Sequence, residues 1–173
     1  MNKPDLVNAG HGWLSRCMAS AVKEERVILG LMSGTSVDAI DVAVCRIRGA
    51  GIDPQRGGNA VSLIALYSHP YVSALRQQVK AITALNVQAI AELNADLGEL
   101  FGVACCQAAQ RAGISLSDVD CIGSHGQTVY HHSRQPGAKK VSLQLGCGDR
   151  IAEITGVPVI SDFRARDCAA GGE

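Results

Sequence analysis

Residues 27–47, VILGLMSGTSVDAIDVAVCRI, decide the fold that the sequence predicts. The first six of them, Val27 to Met32, form a short continuous apolar run, which is typical of a strand buried on both faces. A turn composition follows at Ser33 to Ser36, and a second β-rich run extends from Val37 to Ile47. The stretch therefore predicts a β-hairpin with a polar turn at its tip.

The residues after the hairpin predict that it is part of a larger mixed sheet. A glycine-rich loop at 49–59 leads to an apolar run at 60–67, which we expect to add a third antiparallel strand. Further along the chain, strands and a short helix alternate, and this order predicts an α/β fold with helices on the faces of the sheet. The later strands are predicted at 119–123, 141–145 and 157–161, and the short helix at 149–155.

Two longer helices are predicted between the third and fourth strands. Apolar residues recur at three- and four-residue spacing over residues 72–82, which places one helix face against a core. The second helix begins after Asn86, a favourable N-cap, and ends near Gly113, where a left-handed residue is expected. Within it Gly98 and Gly102 lie one turn apart, and this spacing predicts close packing against a sheet or another helix.

The composition is that of a globular protein without marked affinity for polyanions. Of 173 residues, 47% are hydrophobic and 18% are charged, which argues against disorder. Basic and acidic side chains balance, no basic block stands out, and aromatic residues make up only 3%, so a nucleic-acid partner is not indicated. No run of 18 apolar residues occurs, which argues against a membrane partner.

The cysteines and the first residues bear on location and domain organisation. Seven cysteines occur, an odd number without a C-x-x-C pair, and several lie inside apolar runs. This pattern favours reduced, buried thiols in a cytoplasmic protein. Residues 1–26 show neither a sustained hydrophobic period nor a signal-peptide core, so we expect a flexible lead-in before a single domain at 27–173.

The hairpin turn is the first candidate site. In Ser33 to Asp41, SGTSVDAID, small residues can aim backbone amides and hydroxyls at a phosphate without steric hindrance. Asp38 and Asp41 suit a Mg²⁺ ion held through water beside that phosphate. The turn is not a Walker A motif, since no Gly-Lys-Ser/Thr follows it. A plain turn with two solvated aspartates is the alternative, although Asp41 interrupts an apolar strand and needs a partner or a cation there.

A second candidate site lies at residues 123–128, GSHGQT, after a predicted strand. Ligand sites in α/β sheets open at the carboxyl ends of strands, where His125 and Gln127 can hydrogen-bond the hydroxyl groups of a substrate. The adjacent Ser124 and His125 do not indicate a serine hydrolase, because neighbouring residues rarely face one another and the G-x-S-x-G elbow is missing. The histidines at 131–132 give no zinc-ligand spacing with His125, and we expect them in a surface loop.

The third candidate site is the segment Asp162 to Asp167, DFRARD, after the last predicted strand. Two arginines and two carboxylates crowd into six residues. Arginine forks suit an anionic ligand such as a sugar carboxylate or a phosphate. An ion-pair cluster that supports the loop explains the composition equally well.

Three segments together resemble the blocks of the anhydro-N-acetylmuramic acid kinase family. They are ILGLMSGTSVDAIDVAV, IGSHGQTVYH and LQLGCGDRIAEITGVPVISDFRARDCAAGG, and their order and spacing extend over residues 27–173. Each is weak alone, but SGTS-x-D-x-x-D, GSHGQT and DFR-x-x-D-x-A-x-GG are specific in combination. The resemblance implies the ribonuclease-H-like α/β fold of the sugar kinase, actin and heat-shock chaperone superfamily, with this chain as the amino-terminal lobe of two.

The resemblance implies an enzyme that uses ATP and Mg²⁺ on the small-molecule sugar 1,6-anhydro-N-acetylmuramic acid. The family opens the anhydro bridge with water and phosphorylates the freed 6-hydroxyl, giving N-acetylmuramic acid 6-phosphate in peptidoglycan amino-sugar recycling in the cytoplasm. The family's ATP-contacting loop falls on Gly34, Thr35, Ser36, Val37, Asp38, Ala39, Ile40 and Asp41. Our hypotheses for the sugar side are His125, Gln127, Asp162, Arg164 and Asp167, and for the metal, through water, Asp38 and Asp41.

The sequence departs from the family pattern at several points. Ala39 stands where the family usually has Gly, and Glu173 where it usually has Gln. The Asp-Thr-Gly-Pro-Gly-Asn motif thought to activate water does not occur, so we expect the catalytic base beyond Glu173 and no activity from this chain alone. Two alternatives remain: a superfamily member with another substrate, and a non-catalytic nucleotide-binding half-domain that forms a homodimer or pairs with a separate lobe. An exposed apolar face would favour the half-domain.

Overall fold

The structure is a computed structural model that describes residues 6–49, 60–132 and 140–172. Six strands are β1 (Glu25–Ser33), β2 (Ala39–Arg48), β3 (Ala60–Pro70), β4 (Cys121–His132), β5 (Val141–Leu145) and β6 (Val159–Ile160). The helices are α1 (Leu6–Val22), α2 (Ser73–Lys80), α3 (Val87–Arg111), α4 (Gly148–Thr155) and α5 (Phe163–Ala169). The predicted glycine-rich loop at 49–59 lies outside the described residues except for Gly49.

The strands form one mixed sheet in the order β3-β2-β1-β4-β5, with β6 also paired to β4. The β1–β2 hairpin and its third strand β3 are antiparallel, as the sequence predicts. The fourth strand, β4, lies parallel to β1, and β6 lies parallel to β4, whereas β5 is antiparallel to it. The predicted α/β fold, a mixed sheet flanked by helices, is confirmed.

The core lies between this sheet and α3. On β1 and β2, directly paired apolar residues such as Leu29 and Val44 are fully buried on the face that α3 covers. From α3, Leu97 and Phe101 pack against them, and neither is exposed. Burying one such side chain stabilises the fold by roughly 1.5–3 kcal/mol. None of the helices in the described ranges combines the length and the apolar character needed to cross a bilayer.

The predicted ends and packing of α3 are confirmed. Asn86 Oδ1 accepts a hydrogen bond of 2.9 Å from the Ala89 amide, and Gly113 has the left-handed φ of 69° expected after the helix. A Cβ added to Gly98 would lie 2.7 Å from the carbonyl oxygen of Cys147 at the start of α4. The small residues of α3 therefore allow α4 to pack closely, which positions the chain that leads into β6.

The predicted lead-in contains a helix that the sequence analysis did not anticipate. Residues 6–22 form α1, and Arg26 donates hydrogen bonds of 2.6 and 2.9 Å to two carbonyl oxygens in its last turn. Lys23 also forms an ion pair with Asp120, which precedes β4. These contacts place α1 at the opposite end of the sheet from the hairpin turn. Among the large apolar side chains of α1 that the structure describes, Leu14, Met18 and Val22 are more than half exposed.

The cysteines are unpaired, as predicted, but only Cys105 is buried; Cys17 is exposed and the other five are partly exposed. Burial raises the pKa of the Cys105 thiol from 9.0 to about 12, because the thiolate would lose its hydration. We expect iodoacetamide to modify Cys105 roughly 1000-fold more slowly than an unperturbed thiol, since the thiolate fraction falls by that factor. Mass spectrometry of alkylated peptides measures this, with Cys17 as the fast internal control. Equal rates at both positions would contradict the packing of α3.

Candidate functional site

The three predicted site segments meet at one end of the strands of the sheet. The parallel strands β1 and β6 end beside the middle of β4, with Leu31 paired to Ser124 and Gly123 paired to Ile160. Residues 34–38, 124–127 and 161–162 therefore converge at the carboxyl end of the parallel part of the sheet. The carboxyl ends of the strands are where α/β folds bind ligands.

The turn between β1 and β2 is strained and presents unused donors. Val37 donates its amide to the Gly34 carbonyl at 3.1 Å and has a φ of 54°, which is uncommon for a β-branched residue. Such backbone strain costs of order 1–3 kcal/mol and persists here because the Val37 side chain is buried. Thr35 and Ser36 are exposed at the tip, and their amides have no acceptor among the described residues. The turn can therefore offer two amides and two hydroxyls to one anion.

Three of the residues assigned to the ATP loop, Ala39, Ile40 and Asp41, belong to β2. Ala39 pairs with Pro70 of β3, and Ile40 is fully buried in the core, so Ile40 supports the turn without reaching its surface. Among the described non-glycine residues, only Val37 and Asp162 have positive φ. The replacement of the family's usual glycine by Ala39 therefore introduces no backbone strain.

Asp38 and Asp41 are both exposed, and their carboxylates have different partners. Asp38 forms an ion pair with Arg76 of α2, whereas Asp41 accepts a hydrogen bond from the Ser68 hydroxyl of β3. No cluster of three or more His, Cys, Asp or Glu residues suited to a metal occurs in the described part of the chain. Mg²⁺ retains most of its water and takes one or two carboxylates beside phosphate oxygens. The exposed pair beside the turn fits that requirement, and a closed metal cage does not form here.

Gln127 lies elsewhere than the sequence analysis expected. Its side chain is fully buried, and its Oε1 accepts hydrogen bonds from the Ser33 and Tyr71 hydroxyls at 2.7 and 2.8 Å. Its Nε2 donates to the carbonyl oxygens of Gly34 and Thr128 at 3.1 and 3.0 Å. The amide thus has no free donor or acceptor for a sugar hydroxyl. Gln127 instead joins β4 to the first residue of the turn.

Tyr71 completes this buried network. Its hydroxyl lies 2.7 Å from the Ser33 hydroxyl, and burial raises the pKa of Tyr71 to about 12. The phenol is therefore protonated at neutral pH and can donate to Gln127. Because Tyr71 immediately follows β3, the network ties β1, β3 and β4 together directly below the turn.

The GSHGQT segment is part of β4 and not a loop that follows a strand. Gly126 has a φ of 76°, and a Cβ there would lie 2.9 Å from the Leu145 carbonyl oxygen. Glycine therefore lets the chain bend while β4 continues and pairs with β5. His131, predicted in a surface loop, is exposed as expected but lies in the last part of this strand.

A cavity of about 240 Å³, lined by both polar and apolar residues, opens beside His125 and Asp162. Typical ligand pockets enclose roughly 300–1,000 Å³, so this cavity has the size expected of part of a site. Two of its lining residues, Ser124 and Gln144, have buried oxygen atoms without a hydrogen-bond partner among the described residues. Buried polar atoms are normally satisfied, so these oxygens indicate a place for a hydrogen-bonding ligand or water.

The remaining predicted residues lie apart from this cavity. The segment expected as a loop forms α5, and within it Arg164 and Asp167 form an ion pair of 2.7 Å one helical turn apart. Neither residue lines the cavity, whereas Asp162, just before the helix, does. The structure therefore favours the ion-pair explanation for Arg164 and Asp167.

No sequence motif identifies Tyr71, Arg76 or Ser68 as part of the site. They lie in the β3–α2 segment, which contains no motif. One signal was available: an antiparallel third strand must end where β2 begins, and Ala39 does pair with Pro70. The residues that follow Pro70 must therefore lie beside the turn.

Comparison with known proteins gives a consistent result. Residues 26–173 match the profile of the family described as anhydro-N-acetylmuramic acid kinase. The chain is 40% identical over 161 residues to an anhydro-N-acetylmuramic acid kinase of Pseudoalteromonas atlantica. The alignment covers 89% of this chain and 39% of that relative. The corresponding enzyme of Caldanaerobacter subterraneus subsp. tengcongensis is 40% identical over 158 residues, or 87% of this chain and 39% of the relative.

A third relative, the anhydro-N-acetylmuramic acid kinase of Bacillus thuringiensis subsp. konkukian, is 43% identical over 150 residues, or 84% of this chain and 38% of the relative. The chain thus spans less than two fifths of the length of each of these three relatives. The family match covers all three motifs and, apart from Glu25, every strand of the sheet. This chain belongs to the anhydro-N-acetylmuramic acid kinase family.

Proposed function

We propose that residues 26–173 form one wall of an ATP-dependent kinase site that acts on 1,6-anhydro-N-acetylmuramic acid. The observation that carries the proposal is the buried side chain of Gln127. It holds the turn at Gly34 and lies next to His125 and Gly126, which line the cavity. The turn and the cavity thus share one support, as transfer of a phosphoryl group between two bound molecules requires.

The turn has the groups for the nucleotide side of this site. Thr35 and Ser36 would bind phosphate oxygens through their free amides and hydroxyls. Asp38 and Asp41 would hold Mg²⁺ through water, and the metal supplies charge neutralisation when bound. In-line phosphoryl transfer depends mainly on positioning and electrostatics, so no covalent nucleophile is needed from this wall.

The cavity has the groups for the sugar side. Ser124 Oγ and Gln144 Oε1 are buried without a partner in the described residues and would accept from sugar hydroxyls after a side-chain movement that uncovers them; His125 and Asp162 line the same cavity. Arg164 does not line the cavity, so its effect on the sugar would be indirect, through its ion pair with Asp167. The full proposal is opening of the anhydro bridge by water and phosphorylation of the 6-hydroxyl, in cytoplasmic recycling of peptidoglycan amino sugars. We assign the base that activates water to no residue of this chain.

A chimera tests the proposal. We would replace the matching segment of the Pseudoalteromonas atlantica relative with residues 26–173 and follow ADP release and the mass of the sugar product. We expect the chimera to convert the anhydro sugar with ATP, and the 173-residue chain alone to give no turnover, because a single wall encloses its ligands poorly. A chimera that folds but gives no product would contradict the proposal. Turnover by the 173-residue chain alone would contradict the argument that a single wall is insufficient.

Substitutions in the chimera test the metal-binding assignment. We expect Asp38→Asn and Asp41→Asn each to lower kcat/KM for Mg·ATP by about tenfold or more, because a carboxylate that orders the metal's water shell is lost. Asp96→Asn, on the exposed face of α3, is the matched control and should leave kcat/KM unchanged. If neither Asp38→Asn nor Asp41→Asn has an effect, the assignment of this turn is wrong.

A non-catalytic half-domain is the second candidate, and one observation favours it. Val61, Leu63 and Leu66 of β3 share the sheet face opposite α3, and each is more than 60% exposed. An exposed apolar face of this kind marks a surface that packs against another lobe or a second copy of the chain. Sedimentation of the 173-residue chain distinguishes a second copy from another lobe. A homodimer should dissociate on Leu66→Lys substitution, whereas a monomer rules the dimer out.

A further inference from the structure

The phosphate-binding turn has an electrostatic problem that its own residues do not solve. Residues 33–41 contain two aspartates and no lysine or arginine. A triphosphate that approaches the turn would be repelled by Asp38 and Asp41 unless a cation lies close by. Among the described residues, Arg76 is the one basic side chain that forms an ion pair with this turn.

Arg76 is held in place from two directions. It lies on α2, where Val79 is buried in the core, and α2 begins just after Tyr71, whose hydroxyl contacts Ser33 below the turn. The segment from Tyr71 to Arg76 therefore runs beside the turn and is attached to it at both ends, through Ser33 and through Asp38. A contact fixed in this way places the guanidinium at the turn before any ligand binds.

The guanidinium also has donors that the fold leaves unused. One of its terminal nitrogens contacts Asp38, while its Nε is buried without an acceptor among the described residues. The side chain as a whole is 42% exposed, so it can change its partner without opening the core. Arginine presents five N–H donors in a planar fork that matches phosphate oxygens.

We propose that Arg76 is a phosphate-binding residue that exchanges partners when the nucleotide enters. Its guanidinium leaves Asp38 and binds the terminal phosphate of ATP, and the Asp38 carboxylate becomes free to accept hydrogen bonds from the water shell of Mg²⁺. Each charge is paired before and after the exchange, which avoids leaving either group unneutralised. This inference rests on the proposed kinase function and names a residue outside the family motifs quoted above.

The test is equilibrium binding of ATP and ADP by titration calorimetry, in both the chimera and the 173-residue chain. We expect Arg76→Ala to weaken ATP binding about tenfold or more and ADP binding much less, because only ATP has the third phosphate. Arg76→Lys should recover part of the affinity, since it retains the charge but not the fork. Lys80→Ala removes an equal charge from the exposed end of the same helix and should leave both affinities unchanged.

Asp38→Asn adds a test whose sign depends on the metal. With EDTA present, the substitution should tighten ATP binding, because it removes a repulsive charge and releases Arg76. With Mg²⁺ present, it should weaken ATP binding, because the metal loses a carboxylate partner. A loss of affinity under both conditions would overturn the exchange of partners.

The outcomes separate this inference from the function on which it rests. If neither protein binds ATP, the proposed function and the inference both fail. If ATP binds and Arg76→Ala, shown to be folded by its thermal transition, binds ATP as tightly as before, only the inference fails. An equal loss for ATP and ADP would also overturn it, because contact with the terminal phosphate affects ATP alone.

Discussion

Replacing Gln127 with alanine is expected to lower the free energy of unfolding of the chain by about 3 kcal/mol. The substitution would leave the Ser33 and Tyr71 hydroxyls without their common acceptor and the Gly34 carbonyl with only the Val37 amide as donor. Each buried polar group that loses its partner costs about 1–3 kcal/mol, and only part of this cost is recovered when neighbours or water move in. Urea denaturation followed by circular dichroism measures the loss.

The matched control is Gln78→Ala on the exposed surface of α2, which should change the free energy of unfolding by less than about 0.5 kcal/mol. Gln127→Glu keeps the shape of the side chain but removes its Nε2 donor, so it should also destabilise the fold. A loss below about 1 kcal/mol for Gln127→Ala would mean that the network does not hold the turn in place.

The sheet and its main helix could be predicted because their signals are local. A continuous apolar run defines β1, and apolar residues at every second position define β2. An apolar stripe at helical spacing defines α3. The N-cap at Asn86 and the left-handed Gly113 depend on only a few neighbouring residues, and both are confirmed. Each element is specified by its own residues, so the order of elements predicts the fold class.

The helix α1 could not be predicted in the same way, since its position depends on distant residues. Arg16 donates a hydrogen bond of 3.1 Å to the carbonyl oxygen of Val119, which lies 103 residues away. Apolar side chains such as Met18 point into solvent, so α1 shows no hydrophobic period. A helix held by polar contacts in its second half has almost no pattern in the sequence.

The candidate site was predictable to the extent that its residues lie in motifs. The turn, His125 and Asp162 all lie within the motifs, and His125 and Asp162 line the same cavity. The sequence could not show that Gln127 is buried, because a glutamine in a motif is equally suited to a ligand and to a buried network. It could not show Arg76 either, since only the packing of α2 brings that side chain to Asp38.

Replacing Gly146 with alanine is expected to lower the free energy of unfolding by about 4 kcal/mol. Gly146 has a φ of 120°, and an added Cβ would lie 2.5 Å from Cε2 of Phe101. The left-handed conformation costs a side chain about 1–2 kcal/mol, and the overlap with a ring costs about 1–3 kcal/mol more. The Phe101 ring is fully buried in the core, where close packing opposes its movement. Urea denaturation measures the loss.

Two other glycines separate strain from overlap. Gly156 has a φ of 66° with no atom within 4 Å of an added Cβ, so Gly156→Ala should cost only about 1 kcal/mol, from the backbone alone. Gly30 lies in β1 with neither a positive φ nor a neighbour within 4 Å, so Gly30→Ala should cost nothing measurable. If Gly146→Ala costs no more than Gly156→Ala, the overlap with Phe101 does not exist.

A double-mutant cycle then locates the overlap. Phe101→Leu removes the ring atoms nearest to Gly146, so in its presence Gly146→Ala should lose its overlap cost and retain only the backbone cost. The coupling free energy between the two substitutions should therefore be about 1–3 kcal/mol and favourable. Because Gly146 also lines the cavity, the same cycle shows whether the wall of the cavity is held in position by the core behind it. Additive losses would mean that the chain at Gly146 moves away from Phe101 and that the cavity wall is not rigid.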